Sequence, residues 1–122
     1  MHELSIAMSM VEMAAEESAR RGVQVSAIHL KLGGFAGVVK GALLFSYEVA
    51  CQGTALEASR LVIEEVPVAV YCPTCESETT LASIQRLCCS ACGALTSQIV
   101  RGRELEVVAL EIEDKTEVEC EA

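Results

Sequence analysis

The sequence predicts an α+β fold in which two helices lie on a three-stranded sheet, with a small four-cysteine module inserted between the last two strands. Three observations carry that reading. Apolar residues recur with helical spacing in two stretches and alternate with strand spacing in three others. Two C-x-x-C pairs, Cys72/Cys75 and Cys89/Cys92, occupy a segment where apolar periodicity fades.

Residues Leu4 to Arg21 have the spacing of an amphipathic helix. Leu4, Ala7, Val11, Ala14 and Ser18 share one face, and Met8 and Ala15 broaden it. Glu12, Glu16 and Glu17 face water, Arg20 and Arg21 suit the negative end of the helix dipole, and Gly22 marks the stop. Val23 to Leu32 alternates as a half-buried strand, with Ile28, Leu30 and Leu32 inward, His29 and Lys31 toward solvent, and Gly33-Gly34 closing it. A second helix is predicted from about Val39 to Cys51, with Leu43, Leu44, Tyr47 and Ala50 inward and Gly53-Thr54 ending it. Arg60 to Val66 forms the next strand, and Pro67 makes its end an edge or a bend. The last strand spans Glu104 to Glu113. Its apolar phase shifts from Leu105/Val107 to Leu110/Ile112, as at a bulge or in a strand buried on both faces. Residues 1–70 and 99–113 thus form one αβ domain, 71–98 the module and 114–122 an acidic tail.

Composition narrows the function classes. The chain has 122 residues, enough for one domain and a small appendage, and 52% of them are hydrophobic, so a core can form. Aromatics are 3% with no Trp, so that core is built from Val, Leu, Ile and Ala. No apolar run approaches the roughly 18 residues that cross a bilayer. The amino terminus lacks the basic start and apolar stretch of a secretory signal, so a cytoplasmic protein without a membrane span is expected. The net charge of −9 is the wrong sign for a nucleic-acid surface, where affinity comes from Lys and Arg displacing counterions. Part of that excess is local: Glu111 to Ala122 holds six carboxylates and one lysine. An enzyme finds no support, since neither a nucleophile–base pair nor a phosphate loop is visible.

Seven cysteines in a chain expected to be cytoplasmic point to metal or redox chemistry, and their odd number argues against a closed disulfide framework. Cys72-Pro73-Thr74-Cys75 and Cys89-Ser90-Ala91-Cys92 each form a tight turn whose two thiolates converge. Two such turns facing each other make a tetrahedral four-sulfur site that suits Zn²⁺. Gly93 supplies the permissive backbone that follows such a turn. Iron fits the same four thiolates, but the segment has almost no aromatic shielding, so zinc is preferred. Catalytic disulfides would need a thioredoxin-like βαβ context that is missing. A closed four-thiolate site has no open position and is therefore structural. Cys88, beside Cys89, is taken as a spectator, because the two-residue spacing makes the better turn. Cys51 is expected as a small buried hydrophobe, and Cys120 as an exposed thiol in the tail.

Met1-His2-Glu3 is the second chemical feature. An imidazole at position 2, the α-amine, the backbone nitrogen between them and the Glu3 amide can form a square of nitrogens. That geometry suits Ni²⁺ or Cu²⁺ rather than Zn²⁺. On the residues alone, an exposed histidine is the commoner reading.

The ordered set of motifs resembles the HypA/HybF family of nickel metallochaperones for [NiFe]-hydrogenase maturation, over nearly the whole chain. The resemblance runs through Met1-His2-Glu3-Leu4-Ser5, Leu32-Gly33, Leu44-Phe45 to Glu48, Gly53-Thr54, Leu61 to Pro67, both cysteine pairs and Gly102-Arg103-Glu104-Leu105. It implies that Met1, His2 and Glu3 bind Ni²⁺ as transient cargo while Cys72, Cys75, Cys89 and Cys92 hold structural Zn²⁺. The αβ domain would then be the nickel-binding one and the cysteine module ribbon-like. It further implies a non-catalytic role, a GTPase partner, HypB, docking on the hydrogenase large-subunit precursor, and a monomer or a weak or domain-swapped dimer. The chain departs from some relatives at Val39-Lys40, which offers no acidic residue near the nickel site.

Overall fold

The computed structural model describes residues 3–81 and 86–113; Met1, His2 and the acidic tail lie outside them. The chain forms α1 (Glu3–Arg21), β1 (Gln24–Gly33), α2 (Lys40–Cys51), β2 (Arg60–Val66), β3 (Ala69–Cys72), β4 (Ser77–Thr80), β5 (Ile99–Arg101) and β6 (Leu105–Glu113). The strands make two three-stranded sheets, ordered β2-β1-β6 and β4-β3-β5. The two helices, the first sheet and the inserted cysteine module are the predicted α+β architecture.

The first sheet is built around a β-α-β unit. Gly34 N–H donates to Val66 O where β1 and β2 end, so the two strands run parallel and α2 is their crossover. β6 runs antiparallel to β1: Gly33 N–H donates to Glu104 O at one end, and Ser26 Oγ donates to Glu111 O at the other. No helix among the described residues is long and apolar enough to cross a membrane.

The described residues divide into two compact units, 3–30 with 38–63 and 107–113, and 31–37 with 64–81 and 86–106. In the first, α1 buries Ala7, Met10, Val11, Ala14 and Ser18. Met8 was expected inward but is 56% exposed, and Leu4 is exposed too. With about 100° between successive residues, the stripe centred on Ala7 and Ala14 leans toward Met10, which leaves Met8 on the opposite flank. Gly22, at φ 65°, ends the helix, and Val23 N–H returns to Ser18 O. α2 buries Leu43, Tyr47 and Cys51, one residue per turn, while Leu44 is exposed rather than inward.

The strands carry the core and a polar face. β1 buries Ala27 and Ile28 in succession, so its polar positions run Gln24, Ser26, His29, Lys31. His29 is not simply solvent-facing: its Nε2 lies 2.7 Å from Glu111 Oε1, and Arg60 reaches the other carboxylate oxygen at 3.2 Å. The His29 contact, helped by the Arg60 charge, holds the Glu111 carboxyl below its usual range.

In the second unit the two glycine motifs meet. Phe35 N–H donates to Gly102 O at 2.6 Å, so the backbones at Gly33 and Gly102 nearly touch. A Cβ on Gly33 would land on the Gly102 carbonyl and 2.7 Å from Arg103 N. Gly102 has φ 115°, and a Cβ there would lie 2.7 Å from Val68 Cα. Glu104 Oε1 accepts from Gly102 N–H, and its own and Gly102's backbone donors hold this carboxyl low.

Candidate metal centre

The cysteine module begins as a hairpin. β3 and β4 pair antiparallel, with Val70 opposite Thr79 and Cys72 opposite Ser77. The turn between them is Cys72-Pro73-Thr74-Cys75-Glu76. Glu76 takes φ 53°, the left-handed backbone that Gly93 takes at φ 77° after the second pair. The two turns therefore use the same backbone device, and only the second marks it with a glycine.

The second turn is closed by its own backbone. Gly93 N–H donates to Cys89 O and Cys89 N–H to Ala94 O, both at 2.8 Å, while Cys88 and Leu95 form an isolated bridge. Thr96 then ties this loop to β3: its hydroxyl donates to Tyr71 O at 2.6 Å, and its N–H to Leu87 O. The Thr79 and Ser90 hydroxyls join β4 to the second turn. Thr96 is buried, and sequence reasoning missed it because a lone threonine in a loop carries no periodic signal.

These bonds bring the four sulfurs of Cys72, Cys75, Cys89 and Cys92 within 4.8 Å of one another. Cys72 Sγ and Cys92 Sγ are 3.6 Å apart, and Cys75 Sγ and Cys89 Sγ 3.9 Å. A tetrahedron with arms of about 2.3 Å has edges of about 3.8 Å, so the sulfurs stand where a four-coordinate ion would need them. Cys72 and Cys89 are buried and Cys75 and Cys92 exposed. The donor set is soft, charged when ionised and closed, which fits a metal held for structure.

The thiols are unequal. Backbone N–H groups of Cys92 and Ala91 aimed at the Cys89 sulfur pull its thiol down to about 7. Cys75, hydrogen-bonded to Cys92 and Cys89, is pushed up to about 12. Four thiolates at this spacing would repel, and a divalent cation would offset that repulsion by displacing thiol protons.

Cys88 does not belong to the four-sulfur group. Cys88→Ser is therefore expected to retain one tightly held metal ion per chain, measured by elemental analysis of untagged protein. Loss of metal in Cys88→Ser with retention in Cys89→Ser would reverse the ligand assignment.

Of the amino-terminal residues, Met1 and His2 lie outside the described ones. Glu3 opens α1, and its carboxylate accepts the Val39 N–H at 3.2 Å, at the start of α2. At the start of α2, where Val39-Lys40 offers no acidic residue, the carboxylate that meets the backbone is that of Glu3, a pairing that no local pattern signals across 36 residues.

Comparison with known proteins covers almost all of the chain. The family described as hydrogenase/urease nickel incorporation, metallochaperone, hypA matches residues 1–112. A hydrogenase maturation factor HypA of Roseiflexus sp. (strain RS-1) is 52% identical over 117 residues, covering 95% of each chain. Its counterpart in Chloroflexus aurantiacus is 51% identical over 112 residues, covering 91% of this chain and 98% of the other. Among solved structures, the solution structure of a HypA protein superposes with a TM-score of 0.66 at 18% identity, covering 93% of this chain and 97% of that one. The Ni metallochaperone HypA from Helicobacter pylori gives 0.60 at 18% identity, covering 92% and 97%.

Proposed function

The chain belongs to the HypA family of hydrogenase/urease nickel-incorporation metallochaperones, and from that premise we propose that it binds Ni²⁺ at its amino terminus and delivers it to a hydrogenase large-subunit precursor. The observation that carries this reading is the Glu3–Val39 bond, which fixes the first turn of α1 against the start of α2. With its carboxylate engaged there, Glu3 offers a backbone nitrogen to the cargo ion, beside the α-amine of Met1 and the imidazole of His2. Cys72, Cys75, Cys89 and Cys92 hold Zn²⁺ as a structural ion.

The two metals are separated by chemistry. Four thiolates match a tetrahedral zinc ion, whereas an amine, an imidazole and amide nitrogens match square-planar Ni²⁺. The role is non-catalytic and cytoplasmic, with HypB and the precursor as protein partners. Neither nucleic acid nor membrane is a partner, and the chain acts as a monomer or as a weak or domain-swapped dimer. Within 72–92 the one basic residue is Arg86 and aromatics are absent, so nothing there would grip phosphate or stack bases.

The test is a calorimetric nickel titration of untagged protein. Wild type is expected to bind one Ni²⁺ tightly. His2→Ala, and a form extended by one residue before Met1, are expected to lose that binding while keeping zinc stoichiometry and helix content. Glu3→Gln weakens binding less, because a side-chain amide oxygen still accepts from Val39. Affinity falls with acidity, as protons compete for the amine and imidazole nitrogens. Equal nickel affinity in wild type, His2→Ala and the extended form would place the nickel site elsewhere.

A further inference from the structure

The outer edge of the first sheet is open. Among the described residues β6 pairs with β1 alone, so the main-chain groups along its other side have no strand partner. Natural sheet edges are protected by charged side chains (Lys above all), Pro, a bulge or an early end. Val107-Val108-Ala109-Leu110-Glu111-Ile112-Glu113 has neither Lys nor Pro, carries its two charges on one face, and is the outer run of a nine-residue strand. Val108 is 48% and Ile112 46% exposed.

A cleft of about 240 Å³ lies beside this edge, lined by Glu17, Arg21, Val23, Val25, Leu110 and Ile112. Glu17 is shared by two arginines, Arg20 Nη2 at 2.7 Å and Arg21 Nε at 3.2 Å, which hold its charge at the helix end of the cleft. The rest of the lining, Val23, Val25, Leu110 and Ile112, is apolar. Leu110 and Ile112 are two apart and share its face of the strand, while Glu111 and Glu113 point to the other. Glu111 is held by His29 and Arg60, whereas Glu113 has no ion pair among the described residues.

We propose that the edge of β6 over Val107–Glu113 is a docking site for an extended segment of a partner protein in which apolar and basic residues alternate. Open backbone groups select a strand, because a helix has already satisfied its own. The groove beside Leu110 and Ile112 takes every second side chain, and those must be apolar. The intervening side chains fall on the face of Glu113, which has no ion pair among the described residues, and opposite charges across paired strands favour the pair. Sequence charge reinforces the choice, since 114–122 adds four carboxylates against one lysine. A second copy of this chain is a poorer occupant, as it would bring the same acidic strand against itself.

The probe is a fluorescent eight-residue peptide of alternating Lys and Val, added to the full-length, zinc-loaded chain. Controls are the same residues in two blocks and an alternating Glu and Val peptide. Anisotropy is expected to show the alternating basic peptide binding at least about tenfold more tightly than either control. Amide exchange should show new protection within 107–113. Ile112→Lys, an exposed site whose fold is checked by thermal melting, is expected to remove that preference. Equal binding of the block peptide, or absence of protection in 107–113, would overturn the proposal. So would protection there arising from self-association without peptide.

Discussion

Cys92→Ala and Cys75→Ala are each expected to abolish metal binding at the four-sulfur site and to unfold the cysteine module while the helices of the first unit remain folded. The module's strands are four, four and three residues long, and the turns that join them are closed around the sulfurs. So short a sheet buries little, and a structural zinc ion in a small module supplies binding energy of about 10 kcal/mol or more, which is folding energy. Three sulfurs leave the ion's fourth position to water and one wall of the site open. The measurement is metal content together with residue-level amide exchange. Protection should vanish across 71–98 and persist across Leu4 to Arg21. Its loss from α1 in either mutant would show that the module and the helices fold as one.

Gly33→Ala is the second large effect. Its added methyl meets main chain on both sides of the contact, the Gly102 carbonyl and the Arg103 nitrogen, and neither can rotate away as a side chain could. Relief requires parting of the Gly33–Glu104 and Phe35–Gly102 hydrogen bonds, at 2.7 and 2.6 Å. A loss of about 3 kcal/mol is expected, at the upper end for overpacking because backbone must move. Gly102→Ala should cost a similar amount by a different route, since φ 115° is closed to residues with a Cβ and Val68 is already in contact. Urea titration followed by a probe in the second unit checks both. A midpoint unchanged from wild type in Gly33→Ala would mean that the two backbones do not meet.

Much of this fold was legible in the sequence, and the reasons are specific. α1, β1, α2, β2 and β6 each carry enough apolar residues for a period to show, and each lies within a residue or so of its predicted bounds. The phase shift in β6 is mirrored by the consecutive buried pair Ala27 and Ile28 in β1. β3, β4 and β5 were not legible. Ser77-Glu78-Thr79-Thr80 is polar throughout and owes its strand to pairing with β3, not to a buried face. The sulfur cluster was legible because C-x-x-C spacing fixes thiolate geometry locally. The bonds that position it, from Thr96 to Tyr71 and between Thr79 and Ser90, depend on tertiary contacts that no local spacing encodes. The same holds for Glu3 at Val39 and for Glu111 between His29 and Arg60.

The pairing of β3 with β5 bears on how the chain folds as well as on what it holds. Ala69 lies opposite Arg101, so the excursion that leaves after β2 returns almost to its starting point before β6 begins. Without that closure, bringing β6 back to the first sheet means closing a loop from Val66 to Leu105. With it, only a few free residues remain on each side. Since the entropy of loop closure grows with the logarithm of length, the shortcut lowers the cost of adding the last strand by about 1 to 2 kcal/mol. A metal taken up early would therefore act at a distance along the chain, speeding completion of a sheet that supplies none of its ligands.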